Sequence, residues 1–338
     1  MIARRAVFTD ARVRRLLERF VPAADEVGRL QRGQDPESLL FQEVAEQGHY
    51  AGRTVPSSTR QGLYATTVDG RLLASINHND PARVAAMLEK ALAAWDALPE
   101  AERVPAGGWD GTGDLRRLEA RYPEEGLVLR LSSRDLPRDA ARDLPPGSPA
   151  RPAPDWRAAA WNFDYVWLRR EEARMLVPEE ARVGATREAA GAVLDRLTRV
   201  SLVDNVRGQT YPAPKASLQR ARLASTVTAV EGPRLTLSLE GEAHWEQAGR
   251  WPVAGNGPPV DTRRGFEGRL RGSATWDSQA QGFVAFELLA VGLRWGGTQY
   301  NARHDDLERS PIGYLFERAG REPHERVAPA AFWEYGWR

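Results

Sequence analysis

Apolar and polar residues alternate one by one through much of the C-terminal third of this chain, and that period is the strongest constraint on its fold. The alternation runs through Leu223 to Val230, Arg234 to His244, Gly268 to Trp276 and Gln281 to Leu293. Successive side chains of a strand point to opposite faces, so each run reads as a strand with one buried and one wet face. Glycine-bearing turns separate the runs, and strands joined by short turns pair antiparallel. The expectation is an antiparallel β domain from about residue 215 to 316, closed into a sandwich or barrel.

The first hundred residues carry a helical period instead. Val13, Leu16, Leu17 and Phe20 trace one face behind Asp10, whose carboxylate suits a helix N-cap. A short extended stretch is expected after Phe20-Val21-Pro22. Asp35-Pro36 opens a second helix carrying Leu39, Leu40, Val44 and Ala45, and Asp80-Pro81 a third, with Val84, Met87, Leu88, Ala91, Leu92, Trp95 and Leu98 on one stripe. Between them residues 61–76 read as a hairpin turning at Asp69-Gly70, and the third helix is expected to pack on it. Gly107-Gly108 lies in a linker over 103–114. Beyond it, 126–132 reads as a strand, 137–154 as a Pro-rich loop, 156–168 as partly extended, and 170–176 and 186–199 as helices. The aromatic tail Phe332-Trp333 to Trp337 is expected to dock on the body of the protein. The whole is an α+β chain.

Composition removes several function classes. There is no cysteine, which excludes disulfides, thiolate nucleophiles and thiolate metal sites in the chain as it stands. The net charge of +1 creates no field that would draw nucleic acid or an anionic membrane. No apolar run reaches the roughly 18 residues of a membrane span, and Met1-Ile-Ala-Arg-Arg5 lacks a secretion signal's apolar core, so the default compartment is cytoplasmic. His49, His78, His244, His304 and His324 are scattered without metal-ligand spacing, and no cofactor or nucleophile motif appears.

Val7-Phe8-Thr9-Asp10 through Leu17, Phe20 and Val21 resembles the segment that follows the redox motif in thioredoxin-like proteins, and the element order over residues 8–98 is similar to the same family. The resemblance covers about a quarter of the chain. It implies a degenerate or incomplete thioredoxin-like domain over 1–102. By the family's spacing, the second redox cysteine or selenocysteine would fall at or before Met1, and the strand preceding it is missing. Two expectations follow: a redox-inactive domain that binds a partner or small ligand, or a thiol or selenol oxidoreductase whose motif lies upstream, with translation taken to start late. Residues 115–316 are similar to bacterial proteins of the same two-part layout, in Leu202 to Gln209 and Val291 to Asn301.

Two polar constellations are candidates for a site. Asn205, Arg207 and Gln209 alternate, so on an extended backbone they share a face that suits an anion or carboxylate; the bland alternative is that they satisfy local turns. Thr298, Tyr300, Asn301, Arg303, His304, Asp305 and Asp306 form the densest polar cluster, with Gly296-Gly297 beside it, and supply an anion holder, an acid or base and an orienting carboxylate for a non-redox enzyme. A surface loop with local ion pairs is the competing reading. The tryptophans, among them Trp156, Trp161, Trp167, Trp245, Trp251, Trp276 and Trp295, suit either a core or an aromatic pocket for a sugar, peptide or cation. The identity of a protein or small-molecule partner is not encoded in any motif.

Overall fold

The computed structural model describes residues 7–8, 10–23, 27–52, 59–78, 80–103, 118–137, 160–255, 257–322 and 325–337. The linker and most of the Pro-rich loop expected from sequence, and Trp156, lie outside them. The chain divides into two compact units, Met1–Gly113 and Asp114–Arg338.

In the N-terminal unit three aspartates start three helices, as their positions predict. Asp10 accepts from the backbone N–H groups of Arg12 and Val13 and caps α1 (Ala11–Leu17). Residues 21–23 form neither helix nor strand, and a single turn, α2 (Val27–Leu30), lies further along. Asp35 caps α3 (Pro36–Gln47) and Asp80 caps α4 (Pro81–Asp96), each with proline in the first turn, where the absent N–H costs nothing. Between α3 and α4 runs the hairpin of β1 (Leu63–Thr66) and β2 (Leu72–Ile76). Only Gly70 takes a positive φ, 86°, so the turn is longer than a two-residue Asp-Gly turn and the register slips after Ala65.

The hairpin and α4 bury each other's apolar sides, with Val84, Met87 and Leu88 against Ala65 and Ala74. Each such large side chain contributes roughly 1.5–3 kcal/mol. On α3 Val44 and Ala45 are buried, whereas Leu39 and Leu40 are 47% and 36% exposed. A short helical turn, α5 (Glu100–Arg103), ends the described part of this unit.

The C-terminal unit is built on one antiparallel sheet of eight strands: β3 (Leu127–Asp135), β4 (Trp161–Leu168), β5 (Thr186–Glu188), β6 (Leu218–Glu231), β7 (Arg234–Trp251), β8 (Val260–Asp277), β9 (Gly282–Trp295) and β10 (Ser310–Arg318). Their order is β4-β3-β10-β9-β8-β7-β6-β5. This corrects the expected sandwich or barrel, because the sheet stays open and ends in two edge strands. The sheet also recruits three strands from before residue 215. Thr186–Glu188, expected to start a helix, pairs with Ala224–Thr226 as the edge strand β5. Helix α7 begins only at Gly191, spans Gly191–Asp195, and continues as a π-turn over Arg196–Val200.

Alternation then sorts the two sheet faces. Leu237, Leu239, Trp245, Phe266, Leu270, Leu288 and Tyr314 point to the inner face. That face is covered by the segment that carries α6 (Arg170–Arg174), α7 and the following loop, through Leu176, Val193, Leu197, Leu202 and Val206. The outer face is covered at its β3–β4 end by the aromatic tail: Phe332, Tyr335 and Trp337 pack on Val128, Tyr165 and Trp167. Docking of the tail is thus what its density of aromatic residues predicts. Elsewhere the outer face is wet, and Leu289 and Val291 remain more than two-fifths exposed there.

Candidate functional site

The two polar segments singled out in the sequence meet backbone to backbone. The N–H of Gln209 donates to the carbonyl of Tyr300 at 3.0 Å, and a Cβ on Gly208 would stand 1.8 Å from that same oxygen, so only glycine permits the approach. The approach brings Arg207 and Arg303 into one buried site.

Arg303 is fully buried and its guanidinium donates five hydrogen bonds to three carboxylates. Nε and Nη2 reach Asp204 at 2.7 and 2.8 Å, Nη1 and Nη2 reach Asp135 at 2.9 and 2.7 Å, and Nη1 reaches Asp306 at 3.1 Å. Arg207 lies 2.9 Å from Asp135 and 2.8 Å from Asp306, while Arg294 donates to Asp306 at 2.6 Å. Three arginines thus face three aspartates, and the charges cancel inside the protein. Beside them Ser133 donates to the Oδ1 of Asn205, and the Oδ1 of Asn301 accepts from the N–H of Thr298.

This balance shows in the acidities. Burial alone would raise the carboxyl of Asp306, but Arg294, Arg303 and Arg207 hold it down to about 2. Asp204 is lowered against the same burial by Arg303 and Arg294. The Tyr314 phenol, buried beside Asp204 and without a hydrogen-bond partner among the described residues, is pushed far up, chiefly by its burial. A carboxyl lowered in the folded state adds stability above its unfolded value near 4 and loses it as pH falls toward 2. Asp306 alone contributes roughly 1–2 kcal/mol at neutral pH once screening is allowed for. Denaturant midpoints measured from pH 6 to pH 2 are therefore expected to fall steeply below about pH 4, and the Asp306→Asn protein, already weaker at pH 6, is expected to fall less over that window.

The candidates from sequence divide accordingly. Arg207 and Arg303 are in the network, Asn205 and Asn301 brace it, and Gln209, Tyr300, His304 and Asp305 are exposed outside it. Asn205 and Arg207 both turn toward β3, at Ser133 and Asp135, but Gln209 is exposed and does not share their face, because the segment is not a strand. His304 takes no part in the network. Asp135, Asp204 and Arg294 were not among the candidates. Arg294 had a readable signal, since it occupies an inward position of β9 in phase with Leu288 and Ala290.

A second locus lies on the outer face of the sheet, where an open cleft of about 540 Å³ runs over β7, β8 and the end of β9. Its floor is Trp295. The indole lies flat over Gly265, its register partner, whose missing side chain makes the room: a Cβ there would stand 2.2 Å from Cζ2 of the ring. The indole N–H donates to Glu246 at 3.1 Å, and the guanidinium of Arg309 sits 4.3 Å above the ring centre while donating to Glu267 at 2.6 Å. His244 approaches the ring edge at 6.1 Å between centres, and Arg263 lies 3.4 Å from Glu246. Of the other sheet tryptophans, Trp245 and Trp276 are core residues, and Trp251 donates to the carbonyl of Gly297.

Among the described residues no group of three His, Asp or Glu side chains is placed to hold a metal ion, and no helix is long and apolar enough to cross a membrane. Comparison of the chain with protein-family models, with curated proteins and with solved structures finds no match.

Proposed function

We propose that this chain is a recognition protein without redox turnover, which binds a small ligand or a partner's side chain in the Trp295 cleft. The observation that carries the reading is the contrast between its two polar loci. The Arg303 network pairs its charges within itself, three buried guanidinium groups against three carboxylates, even though Arg207 Nη1 and Arg294 Nε lack a hydrogen-bond partner among the described residues. The cleft instead presents an aromatic ring, carboxylates, an imidazole and guanidinium groups to solvent, the mixture through which binding sites fix orientation. The network then serves as a frame: it anchors the 296–309 loop, whose last residues form one wall of the cleft.

The resemblance of residues 8–98 to thioredoxin-like proteins belongs to the same proposal, as a binding domain without its redox pair. Without cysteine the chain as given is expected to leave insulin disulfides unreduced in a turbidity assay.

The test of the cleft is the indole N–H resonance of Trp295, assigned by its loss in Trp295→Phe. The protein is titrated in turn with a neutral disaccharide, an organic cation, a carboxylate and a zwitterionic dipeptide. Movement of that resonance with at least one class is expected. No movement with any of them overturns the reading.

A further inference from the structure

The cleft already holds a ligand of a kind, since Arg309 of the chain itself is seated in it. Its guanidinium lies over the Trp295 ring at 4.3 Å and pairs with Glu267 at 2.6 Å, an aromatic face with a carboxylate at its rim, which is the arrangement that captures organic cations. Glu246 stands at the edge of the same ring, engaged by the indole N–H. This self-contact is loosely held. The Arg309 and Glu267 side chains are 47% and 46% exposed, and exposed pairs of this type are among the weakest interactions in proteins.

We propose, building on the cleft reading above, that the Trp295 cleft binds an arginine side chain of a partner peptide and that Arg309 occupies the site until the partner's arginine displaces it. With Arg309 swung away, the cleft keeps the carboxylates of Glu246, Glu267 and Glu308 against the single guanidinium of Arg263. That balance favours an incoming cation. It also favours arginine within a peptide over the free amino acid, whose α-carboxylate would face those glutamates. Self-occupancy lowers the apparent affinity by the fraction of time the site is closed, so removing the occupant raises it.

Isothermal titration with N-acetyl-L-arginine amide tests the proposal on the wild-type protein, Arg309→Ala and Arg309→Ala/Glu267→Gln, with N-acetyl-L-citrulline amide and free L-arginine as comparison ligands. Arg309→Ala is expected to bind the arginine amide about two- to fivefold more tightly than wild type, the gain that a weak exposed self-contact would mask. The double variant is expected to lose most of that gain, citrulline amide to bind neither protein, and free arginine to bind more weakly than the amide. Arg309→Gln repeats the measurement if Arg309→Ala melts below wild type. Equal affinity of Arg309→Ala and wild type, equal binding of citrulline and arginine amides, or no binding at all overturns the proposal. If the Trp295 resonance still answers another ligand class, only the guanidinium assignment has failed; silence to every class removes the cleft reading as well.

Discussion

Replacing Arg303 by methionine is expected to destabilise the C-terminal unit by about 3–5 kcal/mol, because it leaves one net negative charge buried among Asp204, Asp135 and Asp306. For a unit of this size each kcal/mol moves the melting temperature by about 2–4 °C, so a drop of roughly 6–20 °C is expected by calorimetry. Chain volume is nearly conserved, which makes charge the cause. The check is the double variant Arg303→Met/Asp204→Asn: it restores two arginines against two aspartates, and is expected to be more stable than Arg303→Met alone. The coupling between the two changes should lie in the range of about 0.5–3 kcal/mol seen for contacting residues. Simple additivity would show that the network does not act as one neutral unit.

Trp167→Ala is the second large effect, again about 3–5 kcal/mol, from truncating a fully buried indole. Its ring meets Tyr122 and Phe332 edge-on at 5.4 and 5.5 Å and stacks on Trp337 at 6.4 Å. Arg196 adds to the cluster, lying 4.2 Å over the Tyr335 ring and pairing with Glu172 at 2.6 Å. Loss of the indole therefore undermines the tail as well as the sheet face. Trypsin is expected to cut the variant near Arg326 faster than wild type, whereas Trp333→Ala, at an exposed ring, is expected to leave both melting and digestion close to wild type.

What the sequence disclosed was local. The Asp10, Asp35 and Asp80 caps and the hairpin through Gly70 depend on neighbours a few residues away, and they stand where the residues place them. The 186–199 segment misled because its apolar spacing suits a helix, while the pairing of Thr186–Glu188 with β6 is decided some forty residues further on. Whether eight strands close or stay open is likewise set by edges that no single strand encodes. Arg207 and Arg303 stood out as polar residues in glycine-bearing segments, but their partners Asp135 and Asp204 lie far off in the chain. The cleft was the least legible element. Glu246, Glu267, Trp295 and Arg309 come from three strands and a loop, and become neighbours only through a register in which Gly265 falls opposite Trp295.

The central claim is that recognition belongs to the sheet's outer face and that the polar loop at 298–306 is its frame. A binding isotherm for N-acetyl-L-arginine amide on Trp295→Ala and on His304→Ala in parallel tests that division most directly. The account predicts that Trp295→Ala abolishes binding while His304→Ala binds as wild type does. Binding that survives in Trp295→Ala and disappears in His304→Ala would contradict it.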